Sequence, residues 1–183
     1  MKPTPMEKLT VKMLCDIYAK LGIEDGLDPE LVEQAVNFDS MWILGWAYPM
    51  MFPEVETPDE VIFVGNVFDM FSFVGAGYAQ LSPADKARVD KSTPHAAAWL
   101  SFAGYDGNNE GEYLSIAHTM VNRLDRYTEF SEVASKNSHC PSIERYARMY
   151  AAFDPIRRNL VMRSMSADEI IQVIGEAIHP DNR

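Results

Sequence analysis

Apolar residues recur every three or four positions along most of the chain, which is the spacing of one face of an α-helix. The clearest example is the stripe Leu9, Met13, Ile17 and Leu21, which predicts a helix over residues 6–21 that ends at Gly22. Strict alternation of apolar and polar residues, the signature of a half-buried strand, is scarce. The pattern therefore predicts an all-α fold with minimal strand.

Helix-start signals divide the chain at regular intervals. Asp28-Pro29, Thr57-Pro58 and Ser82-Pro83 each combine a capping side chain with a proline at the first helical position, and Ser166-Ala167-Asp168-Glu169 is a capping box. The predicted later helices are 29–47, 58–81, a short one after Pro83, 109–127, 141–152 and 166–178. We thus expect six or seven helices in one compact domain over residues 1–183, with long loops at 91–109 and 130–140 and one extended segment at 98–102.

Residues 61–79 form the most apolar stretch, close to the roughly 20 residues that cross a bilayer. Asn66, Asp69 and Ser72 interrupt it, and its acidic flank lacks the cations that usually anchor a membrane segment. A buried helix of a soluble protein is the favoured interpretation. The start of the chain does not resemble a secretory signal, and two distant cysteines do not form a disulfide framework, so we expect a cytoplasmic protein without membrane contact.

Charge is distributed unevenly along this chain, whose net charge is −11. No Lys or Arg occurs between Lys20 and Lys86, so the first half, about 6–90, is strongly acidic, whereas the second half, about 98–179, carries most of the arginines. A solvated acidic surface that maintains solubility is the favoured interpretation. The alternatives are docking of the second half on the acidic half, its own or that of a second copy, and binding of a basic protein partner. Nucleic-acid binding is disfavoured because it depends on cations that neutralise phosphates.

A polar run at 104–112 contains the first candidate binding residues, Asp106, Asn108, Asn109 and Glu110. Its alternating oxygens resemble the start of a calcium loop, but the twelfth position, where such a loop needs Glu, is Ala117. No metal site and no cofactor is therefore predicted. Helix capping by the two asparagines, with acidic residues in the first turn, explains the same residues structurally.

A second polar run, Asn137, Ser138 and His139, is followed by Cys140 and Pro141. Adjacent residues rarely form a nucleophile and its base, so no catalytic residue is assigned, and a turn before a helix is the favoured interpretation. If there is a binding site, we expect it where Asp106 and Glu110 approach His139, with Arg123 and Arg126 supplying positive charge. If there is none, these residues should be caps and loop anchors.

Several segments together resemble the YfbU family: KLTVKMLCDIYAKLG, ETPDEVIFVGNVFDMFSFV, FAGYDGNNEGEYLSIA, RYTEF, NSHCPSIERYARM and MSADEII. The resemblance covers most of the chain and is strongest from Phe102 to Ala177. It implies a small, mostly helical bacterial protein with no established activity, linked loosely to regulation of cell death.

Signatures of nucleotide-binding enzymes and of common hydrolases are missing from the sequence. We therefore expect a non-enzymatic interaction or regulatory module that forms homo-oligomers, with a dimer favoured, through apolar helix faces. The alternative is a small ligand-binding or hydrolase-like protein with a polar site between 104–112 and 137–141.

Overall fold

The first helix begins where the sequence provides a complete cap. The computed structural model describes residues 3–24 and 26–182, and in it the Thr4 hydroxyl accepts a hydrogen bond from the Glu7 N–H while Glu7 bonds back to the Thr4 N–H. The helix ends at Gly22, whose φ of 63° is the left-handed conformation that glycine adopts without strain. The prediction for 6–21 is confirmed.

The structure is all-α, as predicted. The helices of the described chain are α1 (Pro5–Leu21), α2 (Pro29–Asn37), α3 (Trp42–Ala47), α4 (Asp59–Gln80), α5 (Pro83–Asp90), α6 (Ala96–Trp99), α7 (Gly111–Asn122), α8 (Ile143–Arg157) and α9 (Ala167–Gly175). Short 3-10 helices occupy Thr128–Phe130 and Pro180–Asn182. Seven of the α-helices have eight residues or more, which agrees with the six or seven expected, and the described residues contain no strand.

Three local predictions were wrong. The single helix expected over 29–47 is two helices, because Asp39 takes a left-handed φ of 53° and the Ser40 N–H bonds to the Ala35 carbonyl, which closes α2. The helix expected over 109–127 ends at Asn122. The extended segment expected at 98–102 overlaps α6 instead.

Contacts between Cα atoms divide the chain into two compact units. The first comprises residues up to 59 together with 123–125, and the second comprises 60–122 and 126 onward. The predicted single domain 1–183 includes residues 1, 2, 25 and 183, which lie outside the described residues. That domain assignment stays a prediction.

In the first unit, α1 packs on α2. Arg123, from the predicted arginine-bearing half, lies in this unit and forms an ion pair of 3.0 Å with Glu30. The buried side of α1 includes Cys15, whereas its opposite side carries a row of exposed apolar residues.

The second unit has an aromatic core around α4. Phe68 stacks on Phe130 with ring centroids 4.9 Å apart, and Phe102 contacts both rings as well as Tyr146. By length and composition α4 is long and apolar enough to cross a membrane, but half of its most apolar stretch of 18 residues is buried inside the structure. The buried residues of α4 contribute to the aromatic core of this unit.

Candidate functional site

The two polar runs singled out in the sequence lie side by side in the second unit. Tyr105 and Asn137 form an isolated parallel β-bridge, and the Ser138 N–H donates to the Tyr105 carbonyl at 3.0 Å. The Asn137 side-chain oxygen accepts the Gly107 N–H at 2.9 Å. We call this pair of segments, residues 104–110 and 137–143, the loop clamp.

Glu110 is the central residue of the loop clamp, and its side chain is buried at 6% exposure. One carboxylate oxygen accepts the Ser142 and Ile143 N–H groups, at 2.6 and 2.8 Å. The other accepts the Asp106 N–H at 2.9 Å and the Ser142 hydroxyl at 2.7 Å. Glu110 therefore caps the start of α8 from a distant part of the chain.

The protonation of Glu110 follows from these bonds. Burial raises the pKa of its carboxyl group, but the hydrogen bonds from Ile143, Asp106 and Ser142 outweigh burial, so the pKa is lowered overall. A carboxylate with four donors around it has little capacity left to bind a ligand or to transfer a proton.

Asp106 is also committed to the protein itself. Its side chain is 2% exposed and accepts hydrogen bonds from the Asn109 side chain and, at 3.1 Å, from the Asn108 N–H. These bonds lower the pKa of the Asp106 carboxyl group, and the nearby His139 adds to the effect. Asp106 thus forms a local turn that leads into α7.

The 137–139 run makes a turn rather than a catalytic pair. The Asn137 oxygen also accepts the His139 N–H at 2.8 Å, and the Ser138 hydroxyl donates to the Cys140 carbonyl at 2.8 Å. His139 is exposed, with a left-handed φ of 55°. Within the described chain its ring has no hydrogen bond, so Ser138 and His139 do not form a nucleophile and base.

Arg123 and Arg126 do not join the loop clamp. Both lie beyond α7, which ends at Asn122 and not at 127 as expected. Arg123 belongs to the first unit and pairs there with Glu30 and, at 3.9 Å, with Asp28. Arg126 is exposed, and its backbone N–H bonds to the Met120 carbonyl.

An open cleft of about 1040 Å³ lies beside the loop clamp in the second unit. Its apolar wall includes Pro94, Trp99, Pro141 and Ile178. The charged and polar residues that line it are His95, Asn109, Glu110, Glu144, Arg145, Arg148 and His179. The cleft borders the loop clamp through Asn109, Glu110, Pro141 and Ile143.

The comparison with protein families gives a match over nearly the whole chain. A model of the YfbU domain matches residues 1–175 of 183. The chain belongs to the YfbU family. Comparison with curated proteins found no match.

Sequence reasoning found the loop clamp of this YfbU chain but missed the cleft. Arg145 and Arg148 lie three residues apart on α8, a spacing that places them on one face, and this signal was present in the sequence. The residues that complete the cleft come from α6 and from the chain after α9, and no local pattern indicates that they meet.

No group of three or more His, Cys, Asp or Glu in the described residues has the geometry to hold a metal ion. In particular, Glu110, which would be the third ligand of the calcium-like run, points to the start of α8 instead. Glu110 thus connects the turn at Asp106, which leads into α7, to the start of α8.

Proposed function

We propose that this YfbU chain is a non-enzymatic interaction module that acts as a homodimer, with α1 of one copy packed against α1 of the other. The observation that carries the proposal is the exposed apolar face of α1. Met6, Leu9, Met13, Ile17 and Leu21 recur at helical spacing, and each is between 52% and 70% exposed. Leu14 and Ile23 border this stripe and are exposed as well.

The size of the stripe suits a dimer interface. An unfolded chain exposes about 1.45 Å² per dalton, so one Leu, Ile or Met residue exposes about 160 to 190 Å² when unfolded. The seven residues, which retain 47% to 70% exposure, thus present about 700 Å² per copy, near the roughly 800 Å² per partner of a stable interface. Large exposed apolar patches on soluble domains commonly mark such interaction sites.

Charge permits a second copy of the same chain at this stripe. Two copies that each carry −11 repel one another, so contact is least costly where the local charge is close to neutral. Lys8 and Lys12 of α1 pair with Asp39 and Glu33, which leaves the surroundings of the stripe nearly neutral. A symmetric pairing would also bring the same apolar stripe to both sides, as a two-fold dimer requires.

The loop clamp supports a non-enzymatic role. Asp106, Glu110 and Asn137 direct their acceptors to backbone and side-chain donors of the clamp itself, so the hydrolase-like alternative has no free nucleophile and base pair there. A role in regulating cell death, a cytoplasmic location and a basic protein partner for the acidic region remain predictions from the sequence.

Light scattering after size exclusion tests the dimer. The chain has a mass of 20.7 kDa, and we expect twice that mass at micromolar concentration. Met13→Asp should yield the monomer, because Met13 lies at the centre of the stripe and a two-fold pairing brings the two introduced carboxylates close together in an apolar interface.

Met162→Asp is the matched control. Met162 is fully exposed and lies outside α1, so the same substitution there should leave the dimer intact. Circular dichroism of all three proteins verifies that helix content is unchanged. A wild-type monomer at these concentrations, or a dimer that survives Met13→Asp, would refute the proposal.

A further inference from the structure

Two arginines of α8 differ from most others in the chain. Five arginines form ion pairs with carboxylates within 4.0 Å: Arg88, Arg123, Arg157, Arg158 and Arg163. Across residues 3–24 and 26–182, Arg145 and Arg148 form no such pair, although acidic residues outnumber basic ones by 27 to 16 in the sequence. Both line the cleft.

The position of Arg145 is fixed by aromatic rings. Its guanidinium lies 5.1 Å from the Trp99 ring centroid and 5.2 Å from that of Tyr146. Its Nε atom is buried and has no hydrogen-bond partner among the described residues. Because the Nε is buried, an anion in the cleft would be bound by the terminal amino groups of Arg145.

Arg148 is oriented by a backbone carbonyl. Its Nε donates to the Glu176 carbonyl at 3.2 Å, at the end of α9, while its terminal amino groups have no acceptor within the described structure. Arg145 and Arg148 are three residues apart on one helix, so their Cβ atoms lie about 5 to 6 Å from each other. A single multivalent anion is therefore within reach of both.

Two carboxylates, of Glu110 and Glu144, also line the cleft and balance its formal charge, but neither forms an ion pair with Arg145 or Arg148. Glu110 is engaged by the four donors of the loop clamp, and Glu144 is exposed, with no ion pair to either arginine. The imidazoles of His95 and His179 add polar groups to the same lining. The cleft therefore places two guanidinium groups that form no ion pair within the described residues beside its apolar wall.

We propose that the cleft binds a small organic phosphate, with its phosphate group between Arg145 and Arg148 and its apolar or aromatic body against Pro94, Pro141 and Ile178. A phosphate monoester carries a charge of about −1.5 to −2 at pH 7, which matches two guanidinium groups. Guanidinium groups bind phosphate through paired hydrogen bonds, and the volume of about 1040 Å³ leaves room for more than the phosphate alone.

Titration calorimetry with phenyl phosphate tests the site. Phenol measures how much the aromatic ring alone contributes to the affinity, and inorganic phosphate measures how much the anionic group alone contributes. We expect saturable binding of phenyl phosphate, tighter than that of either probe. Chemical-shift changes in an amide NMR spectrum should be concentrated at residues 95, 99, 145, 148 and 179.

Arg148→Gln should weaken phenyl phosphate binding about tenfold or more, the usual loss when a hydrogen bond to a charged group is removed. Arg148→Lys keeps the charge but not the paired donors and should fall between wild type and Arg148→Gln. The matched control is Arg158→Gln, which removes the same charge from an exposed residue that pairs with Asp154 outside the cleft. It should bind within about twofold of wild type.

Three results would overturn the proposal. The first is no saturable binding of phenyl phosphate up to about 1 mM, the weak end of small-ligand affinity. The second is equal loss in Arg148→Gln and Arg158→Gln, which would indicate a nonspecific charge effect. The third is binding of inorganic phosphate as tight as that of phenyl phosphate, which would show that the organic part of the ligand adds no affinity. Since the cleft residues lie outside α1, these results are independent of the dimer test.

Discussion

Glu110→Gln removes the charge that joins the two segments of the loop clamp while keeping the size of the side chain. The carboxylate accepts three backbone N–H groups and one hydroxyl, and its two oxygens share them equally. Glutamine has one oxygen, so its amide nitrogen must face two of these donors. The Ser142 hydroxyl is able to rotate and accept instead, but a backbone N–H is not.

The loss can be estimated from the unmatched donors. One or two buried N–H groups lose their acceptor, at about 1 to 3 kcal/mol each, and the bonds that remain lose the assistance of the charge. We expect a loss of about 3 kcal/mol in the free energy of unfolding, a large part of the 5–15 kcal/mol typical of a domain. For a chain of this size the melting temperature should fall by about 6 to 12 °C.

Urea unfolding followed by circular dichroism measures this loss. The control is Glu112→Gln, the same substitution at an exposed residue in the first turn of α7, where the helix dipole contributes about 0.3 to 1 kcal/mol. A difference between the two variants of less than about 1 kcal/mol would refute the role given to Glu110, because it lies within the scatter of surface substitutions.

The pH dependence gives an independent check on Glu110. Its pKa is lower in the folded protein than the ordinary 4.5, so the stabilisation is complete above that ordinary value and is lost as pH falls through the folded pKa. The difference in stability between wild type and Glu110→Gln should therefore shrink below about pH 4.5. A constant difference across that range would contradict the ionised state.

Two further predictions concern the backbone of the loop clamp and the acid stability of α9. Gly104 has a φ of 96°, and an added Cβ would lie 2.5 Å from the Lys136 carbonyl oxygen. Gly104→Ala should therefore lower the free energy of unfolding by about 2 kcal/mol or more in the same urea assay. Gly111→Ala is the control: its added Cβ meets open space, so the substitution should be neutral or slightly stabilising. The paired hydrogen bonds from Arg163 are the main cause that lowers the pKa of Glu169 from 4.5 to about 2. At pH 7 the free energy of unfolding of the wild type should therefore exceed that of Glu169→Gln by about 1 to 2 kcal/mol after solvent screening, and this difference should disappear as the pH falls from 4.5 to about 2. A difference that persists at acid pH would contradict the ion pair.

Local signals in the sequence were sufficient for most helix starts. The capping box predicted from Ser166 and Glu169 is present with both reciprocal bonds, and the predicted start of α4 after Thr57-Pro58 agrees with the observed Asp59. These features depend on residues within one turn of each other, so the chemistry that decides them is visible in a short window.

Breaks that depend on unusual backbone conformations were not predictable in the same way. Asp39 ends α2 in the left-handed region, where glycine is the usual residue, and nothing else in its neighbourhood signals a stop. Tyr127 and Asp125 likewise adopt positive φ after α7, where the apolar spacing appeared to continue. Contacts with distant parts of the chain accompany two of these conformations: Asp39 pairs with Lys8 at 2.8 Å, and the Tyr127 hydroxyl donates to Asp69 at 3.0 Å.

The polar motif and the cleft are connected through Glu110. By accepting the Ser142 and Ile143 N–H groups, Glu110 fixes where α8 begins, and this in turn positions Arg145 and Arg148 within the first two turns of the helix. The acidic groups of the motif accept their hydrogen bonds within the loop clamp, and within the described residues they form no ion pair with either arginine. The polar motif residues that were predicted from the sequence thus position α8, and the anion binding that we propose depends on Arg145 and Arg148, which the sequence did not single out.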